Sequence, residues 1–240
     1  MTVSSEEPTH TVKRYDQELS QLRDLVLEMG GLVEEQICKA VESLDEEDPD
    51  LARWVIERDR AVNTLELKAD ELATNLIALR QPLGPDLRSI LALTRSVTDL
   101  ERCGDEAERI ARMAVRIYDS DLPPPSSTLL RDIAHMKTLA SAMFRDSLDA
   151  VARLDIHRAA MIARGDQELD MEFQSALRRL ITYSMEDPRT IGHTIDVTFI
   201  LRALERIGDH AANIAENVIY AVKGKDIRHA DPETVARNLL

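Results

Sequence analysis

Aromatic residues are scarce in this 240-residue chain: one Trp, four Tyr and three Phe, 3% of the total. Gly (8) and Pro (9) are also few, and no segment carries a strand signal, so a turn-rich β architecture has no material to build from. Thr194 to Ile200 is β-branched but keeps helical phase. Only two cysteines occur, Cys38 and Cys103, far apart and without a CxxC pair, which excludes both a disulfide framework and a thiolate metal site. No uncharged run approaches the length of a membrane span. The opening MTVSSEEPTH lacks the basic and apolar regions of a signal peptide, so the expected location is the cytoplasm, with membranes met only through partners. The net charge of -14 excludes a nucleic-acid backbone as partner and suits cations or a basic protein surface.

What remains is rich in Ala, Leu, Glu and Arg, with 44% hydrophobic and 31% charged residues, the profile of an all-α protein. Within it one hexapeptide occurs twice. Leu100-Glu101-Arg102-Cys103-Gly104-Asp105 returns 104 residues later as Leu204-Glu205-Arg206-Ile207-Gly208-Asp209. An apolar-periodic run precedes each copy and an Ala-rich helical run follows it, which places both inside helices. Glycine in a helix interior costs about 1 kcal/mol relative to alanine, so Gly104 and Gly208 predict close helix–helix approach. At about 100° per residue from Val97, the residues Ile90, Leu93, Leu100, Gly104 and Ala111 fall within about 60° of Val97, and Glu101, Asp105 and Glu108 fall near 40°, 80° and 20°. With Leu201 in the place of Val97, Glu205, Asp209 and Glu216 fall near 40°, 80° and 60°. Acids beside a core-facing stripe are expensive unless paired or coordinated.

The rest of the chain divides around these motifs. Residues 1–12 read as a mobile polar arm. Helical spacing runs from Tyr15 to Leu44, with Gly30-Gly31 marking a tight crossing, then from Asp50 to Leu79 and from Asp86 to Tyr118. Residues 120–128, rich in Pro and Ser, are the clearest linker. Three more helices follow at about Leu129–Leu154, Ile156–Met185 and Pro188–Lys223, with a polar tail over 224–240. The chain therefore reads as two pseudo-symmetric three-helix bundles, residues 13–119 and 129–223, in tandem.

The middle helix of each half carries a second i, i+4 pair, Asp59 with Asn63 and Asp166 with Asp170. Neighbouring antiparallel helices bring such pairs to one seam, where oxygen ligands suit iron, manganese, magnesium or calcium. Without histidine at these positions zinc is disfavoured. Asn213 and Glu216 extend the second acidic row, whereas Arg109 and Arg112 stand near the first and compete with a cation for Glu101, Asp105 or Glu108. The second half is thus expected to bind cations better. Arg102 and Arg206 point away from the stripe, and His210 is expected to face solvent. No nucleophile–base arrangement or Gly-rich phosphate loop is present.

These residues resemble the PhoU family. The resemblance rests on the doubled E-R-x-G-D, on Met29-Gly30-Gly31 with Val33, Glu34 and Gln36, and on Arg80-Gln81-Pro82 followed by Asp86-Leu87-Arg88. It extends through Met185-Glu186-Asp187-Pro188-Arg189-Thr190 and Asp209-His210-Ala211 with Asn213 to Glu216, covering about residues 15–228. It implies a cytoplasmic accessory and regulator of the phosphate ABC transporter, linking its ATPase subunit to a sensor histidine kinase in phosphate-starvation signalling. It also implies metal clusters on E(D)xxxD motifs, here Glu101/Asp105 and Glu205/Asp209 faced by Asp59/Asn63 and Asp166/Asp170. A homodimer is expected, and no enzyme activity. The competing expectation is a carboxylate-bridged di-metal enzyme, against which stands the absence of any Glu-x-x-His.

Overall fold

The breaks read from the sequence become capped helix turns, and the two halves make them the same way. Asp48 Oδ1 accepts from the backbone N–H groups of Asp50 at 2.9 Å and Leu51 at 3.0 Å, with Pro49 in the first turn. Asp155 Oδ1 accepts from His157 at 3.0 Å and Arg158 at 3.1 Å. The residue preceding each capping Asp, Glu47 (φ 53°) and Leu154 (φ 51°), is left-handed. Each Asp satisfies backbone donors that a helix start otherwise leaves open.

This computed structural model describes residues 11–119 and 123–227. Its order is α1 (Thr11–Asp45), α2 (Pro49–Arg80), α3 (Pro85–Tyr118), α4 (Ser127–Arg153), α5 (Ile156–Glu186) and α6 (Ile191–Lys223). The helices run 27 to 35 residues, so each is about 40–50 Å long at 1.5 Å per residue. No described residue forms a strand.

Three boundaries differ from the sequence reading. α4 begins at Ser127, inside the expected 120–128 linker, because Ser126 already holds the extended conformation of an N-cap; residues 120–122 lie outside the described residues. The run expected from Pro188 opens with a 3-10 turn, Pro188–Thr190, capped by Asp187, before α6 starts at Ile191. Of the arm expected over 1–12, residues 11 and 12 belong to α1 and the rest lie outside the described residues, as does the tail beyond 227.

α1, α2 and α3 form one bundle and α4, α5 and α6 the other, with α3 and α6 side by side between them and α1 beside α4. α3 and α6 run antiparallel: Arg95 stacks on the Tyr220 ring, Cys103 Sγ lies 3.9 Å from Ile207 O, and Arg116 pairs with Asp196 at 3.2 Å. Both central helices therefore bury two faces. On α3, Val97, Leu100 and Ala111 meet its own bundle, while Cys103, Glu106 and Ile110 lie on the side turned to α6 and are equally buried. A single core runs through all six helices. No described helix is long and apolar enough to cross a membrane.

Candidate metal centre

Each bundle's motif helix meets its middle helix along a seam of acids. In the second bundle the seam lies between α5 and α6. Asp170, Glu205 and Asp209 each bring a carboxylate oxygen within 4.8 Å of the other two. Gly208 permits this approach: a methyl group there would collide with Leu169 Cδ2 and stand 3.5 Å from Met143. Glu205 is buried, with Oε1 held by Arg202 Nη1 at 2.7 Å and Oε2 left without a hydrogen-bond partner. Burial and then the Asp209 charge push Glu205 up to about 7 against the pull of Arg202. Burial, Asp209 and Asp170 push Asp166 up to about 6, and burial followed by Asp170 also raises Asp209. The seam opens to solvent through a depression of about 540 Å³ lined by Asp170, Met171, Gln174, Arg178 and Glu205.

The first bundle builds its seam differently. Asp59 on α2 is buried and raised by burial, then by Glu108 and Asp105 of α3. Asn63 donates to Asp59 Oδ2 at 3.0 Å, a neutral amide in the place where α5 has Asp170. Burial, then Asp105 and Glu66, raise Glu101. Here the arginines intervene. Contrary to the expectation that it points away, Arg102 lies 3.6 Å from Glu101 and 3.7 Å from Asp105, because its long stem reaches back over the adjacent turn. Arg112 takes Glu108 at 2.6 Å, while Arg109 turns instead to Glu106 at 3.0 Å.

The second bundle's extended row is corrected as well. His210 does not face solvent: it is half-buried, with Nδ1 3.0 Å from Asp99 Oδ1 of α3. Asn213 donates to the same oxygen at 3.1 Å, and so turns toward α3 and away from the Asp170 cluster. Glu216 is half-buried. Arg206 points away from Glu205, as expected, and pairs with Glu106 of α3 at 2.6 Å. The sequence reading missed Glu66 as a member of the first seam. It also missed Glu106, Asp99 and Asp196, which fall outside the stripe taken as core.

The donors in both seams are oxygens, without histidine or cysteine, which fits hard cations and disfavours zinc. A buried carboxylate oxygen with no partner, beside two further carboxylates, is the arrangement a bound cation relieves. The second seam meets that test more fully than the first, whose acids are shared with Arg102, Arg112 and Asn63.

Comparison with known proteins agrees along the chain. The PhoU domain family model matches residues 26–114 and 133–218, one copy in each bundle. A phosphate-specific transport system accessory protein PhoU homolog of Pseudomonas putida is 44% identical over 228 residues, 95% of this chain and 88% of that one. The phosphate-specific transport system accessory protein PhoU of Escherichia coli K12 is 40% identical over 220 residues, 92% of this chain and 90% of that one. The crystal structure of PhoU from Pseudomonas aeruginosa superposes with TM-score 0.82 at 43% identity, covering 88% of this chain and 100% of that one. The phosphate transport system regulatory protein PhoU from Streptococcus pneumoniae gives TM-score 0.80 at 29% identity, over 88% and 98%. With both repeats matched in sequence and in fold, this chain belongs to the PhoU family.

Proposed function

We propose that this protein regulates phosphate uptake and phosphate-starvation signalling as a helical adaptor between the phosphate ABC transporter's ATPase subunit and a sensor histidine kinase, with cations held in its acidic seams. The relatives carry accessory or regulatory names, not enzyme names, and the chain is read as a non-enzyme. The outer helices α2 and α5 leave long exposed faces for docking, which include Leu67, Leu79, Met171 and Met185, and the charge of -14 favours basic partner surfaces. The observation that carries the cation part is the Asp170, Glu205 and Asp209 cluster with its orphaned Glu205 oxygen.

Deleting the gene and measuring phosphate uptake and starvation-gene expression at high phosphate tests the regulator role. Derepressed starvation genes are expected, and unchanged values end the proposal. Elemental analysis of the purified protein, followed by pull-down of ATPase and kinase subunits with and without chelator, tests the other two parts. Protein that stays free of metal under every loading condition removes the cation part.

A further inference from the structure

The α5/α6 hairpin carries large apolar side chains on its outer side. Met171, Ile181 and Met185 of α5 and Ile191, Ile195 and Phe199 of α6 are 47% to 79% exposed. On α5 they share one helical stripe with Gln174 and Arg178, and on α6 they recur every fourth residue. The two stripes flank one seam. Ser184 Oγ donates to Thr194 Oγ1 at 2.8 Å toward one end, and Asp170 meets Glu205 and Asp209 at the other. From Met171 to Met185 the face runs about 21 Å, roughly four helical turns. Among the described residues the helices beside α5 are α4 and α6 alone, so no third helix covers this face.

The first bundle serves as the control. In register with the repeats, Thr64, Thr74, Ala78 and Arg95 stand where the second bundle has Met171, Ile181, Met185 and Phe199. Leu87 and Leu91, in the places of Ile191 and Ile195, are half-buried, and Arg95 lies over the Tyr220 ring. The repeat therefore folds without large exposed apolar groups at these positions. Left in water, they contribute nothing to the fold of the second bundle, and a contiguous apolar face of this kind marks an interaction surface.

One end of the face is charged. The depression of about 540 Å³ lined by Asp170, Met171, Gln174, Arg178 and Glu205 continues the α5 stripe. Glu205, 7% exposed, lines it with Oε2 unpartnered among the described residues. A lysine or arginine reaching that oxygen makes a charge-assisted hydrogen bond. A second copy seated on a two-fold axis would instead set Arg178 against Arg178 or Asp170 against Asp170. An anionic lipid surface would meet the same carboxylates with like charge.

We propose that the outer face of the α5/α6 hairpin is a docking surface for an amphipathic helix of a protein partner, one that carries a lysine or arginine where it meets Asp170, Glu205 and Asp209. The helix lays its apolar side between the stripes, against Ile181, Met185, Ile195 and Phe199. Its basic group takes the place of the cation proposed above, so the two are alternatives at these oxygens. Arg178, without an ion pair among the described residues, faces a carboxylate of the partner. This inference rests on the adaptor reading.

The probes are the purified ATPase subunit and the cytoplasmic part of the kinase, measured by biolayer interferometry against metal-free, full-length protein. Ile195→Ser with Phe199→Ser should weaken docking of at least one probe by about tenfold or more, with an unchanged melting temperature. Asp170→Asn should weaken it by roughly three- to tenfold and flatten its salt dependence. Leu67→Ser, an exposed apolar position of the first bundle, should change nothing. A probe that binds wild type and the double variant alike overturns the docking face and leaves the adaptor reading standing. Unchanged docking in Asp170→Asn overturns the basic contact. Binding of neither probe to wild type ends the adaptor reading and the face with it. A wild-type dimer lost in the double variant by analytical ultracentrifugation, or phosphatidylglycerol vesicles bound by wild type and not by the double variant, assigns the face to a second copy or to a membrane and overturns the proposal.

Discussion

Glu106 of α3 and Arg206 of α6 meet at 2.6 Å across the boundary between the two bundles. Glu106 is 2% exposed and is raised by burial, with Arg109 and then Arg206 pulling it back. An ion pair set where each central helix turns its second face to the other fixes their register more than it adds to stability. Arg206→Ala leaves a buried carboxylate with Arg109 alone and should cost about 2–4 kcal/mol in urea unfolding. The double variant Glu106→Leu with Arg206→Met should recover most of that loss. A double variant no better than Arg206→Ala would show that the pair itself holds the bundles together.

Two glycines should respond in opposite directions to the same methyl group. Gly208→Ala drives a Cβ into Leu169 Cδ2 and should destabilise by about 1–3 kcal/mol, relieved when Leu169 is shortened to Ala. Gly31, inside α1, has nothing within 4 Å of an added Cβ, so Gly31→Ala should stabilise by about 0.5–1 kcal/mol. Thermal melts of the two variants decide both.

Asp166 and Glu205 are raised in the folded protein, to about 6 and about 7 from ordinary values of 3.8 and 4.5. The folded state therefore binds protons that the unfolded state has already released. Without metal, stability should be highest below about pH 4.5 for this pair and should fall as pH rises through about 6 and 7, by roughly 1–2 kcal/mol with solvent screening allowed for. Saturating Mn²⁺ should flatten or reverse the slope, since it binds the charged carboxylates. Melting temperatures from pH 5 to pH 8, with and without Mn²⁺, measure it. A metal-free protein that gains stability over that interval would contradict the burial of these acids.

Arg202 holds Glu205 Oε1 at 2.7 Å and stacks on the Phe173 ring at 5.5 Å. A cation in the proposed seam site would compete with it for the same carboxylate. Arg202→Met, which keeps an apolar stem against Phe173, should tighten Mn²⁺ binding by roughly three- to tenfold, the scale of one partly screened charge pair. Weaker binding would make Arg202 a positioning residue for Glu205, not a competitor.

The matched caps Asp48 and Asp155 should each be worth about 1 kcal/mol, so either Asp→Ala change should lower the unfolding midpoint by a similar amount without altering Mn²⁺ affinity.

Much of this was legible before any coordinates. The long amphipathic runs predicted each helix of α1 to α5 to within a few residues, because apolar spacing, Asp caps and Pro at helix starts all mark the same boundaries. The E-R-x-G-D repeats located both seams, and Asn63 and Arg112 fall on the acids of the first one, Asp59 and Glu108, while Arg109 turns to Glu106. Most of what failed has one cause. A helical wheel assigns each helix one inner face, and α3 and α6 have two. Glu106, Asp99 and His210 sit on the second face, so His210 was placed in solvent and the acids were left out. Arg102 failed for a different reason, the reach of a long side chain over its own turn.

The order of elements, the tandem repeat and the acidic rows follow from local periodicity and from residues near one another in the chain, where helix geometry alone sets the spacing. The packing of α3 on α6, the burial of Gln36 near Asp59 and Gly104, and the pairing of Arg206 with Glu106 and of Arg116 with Asp196 join residues dozens of positions apart. Nothing in the local pattern encodes those distances; only the way six helices close on one core decides them.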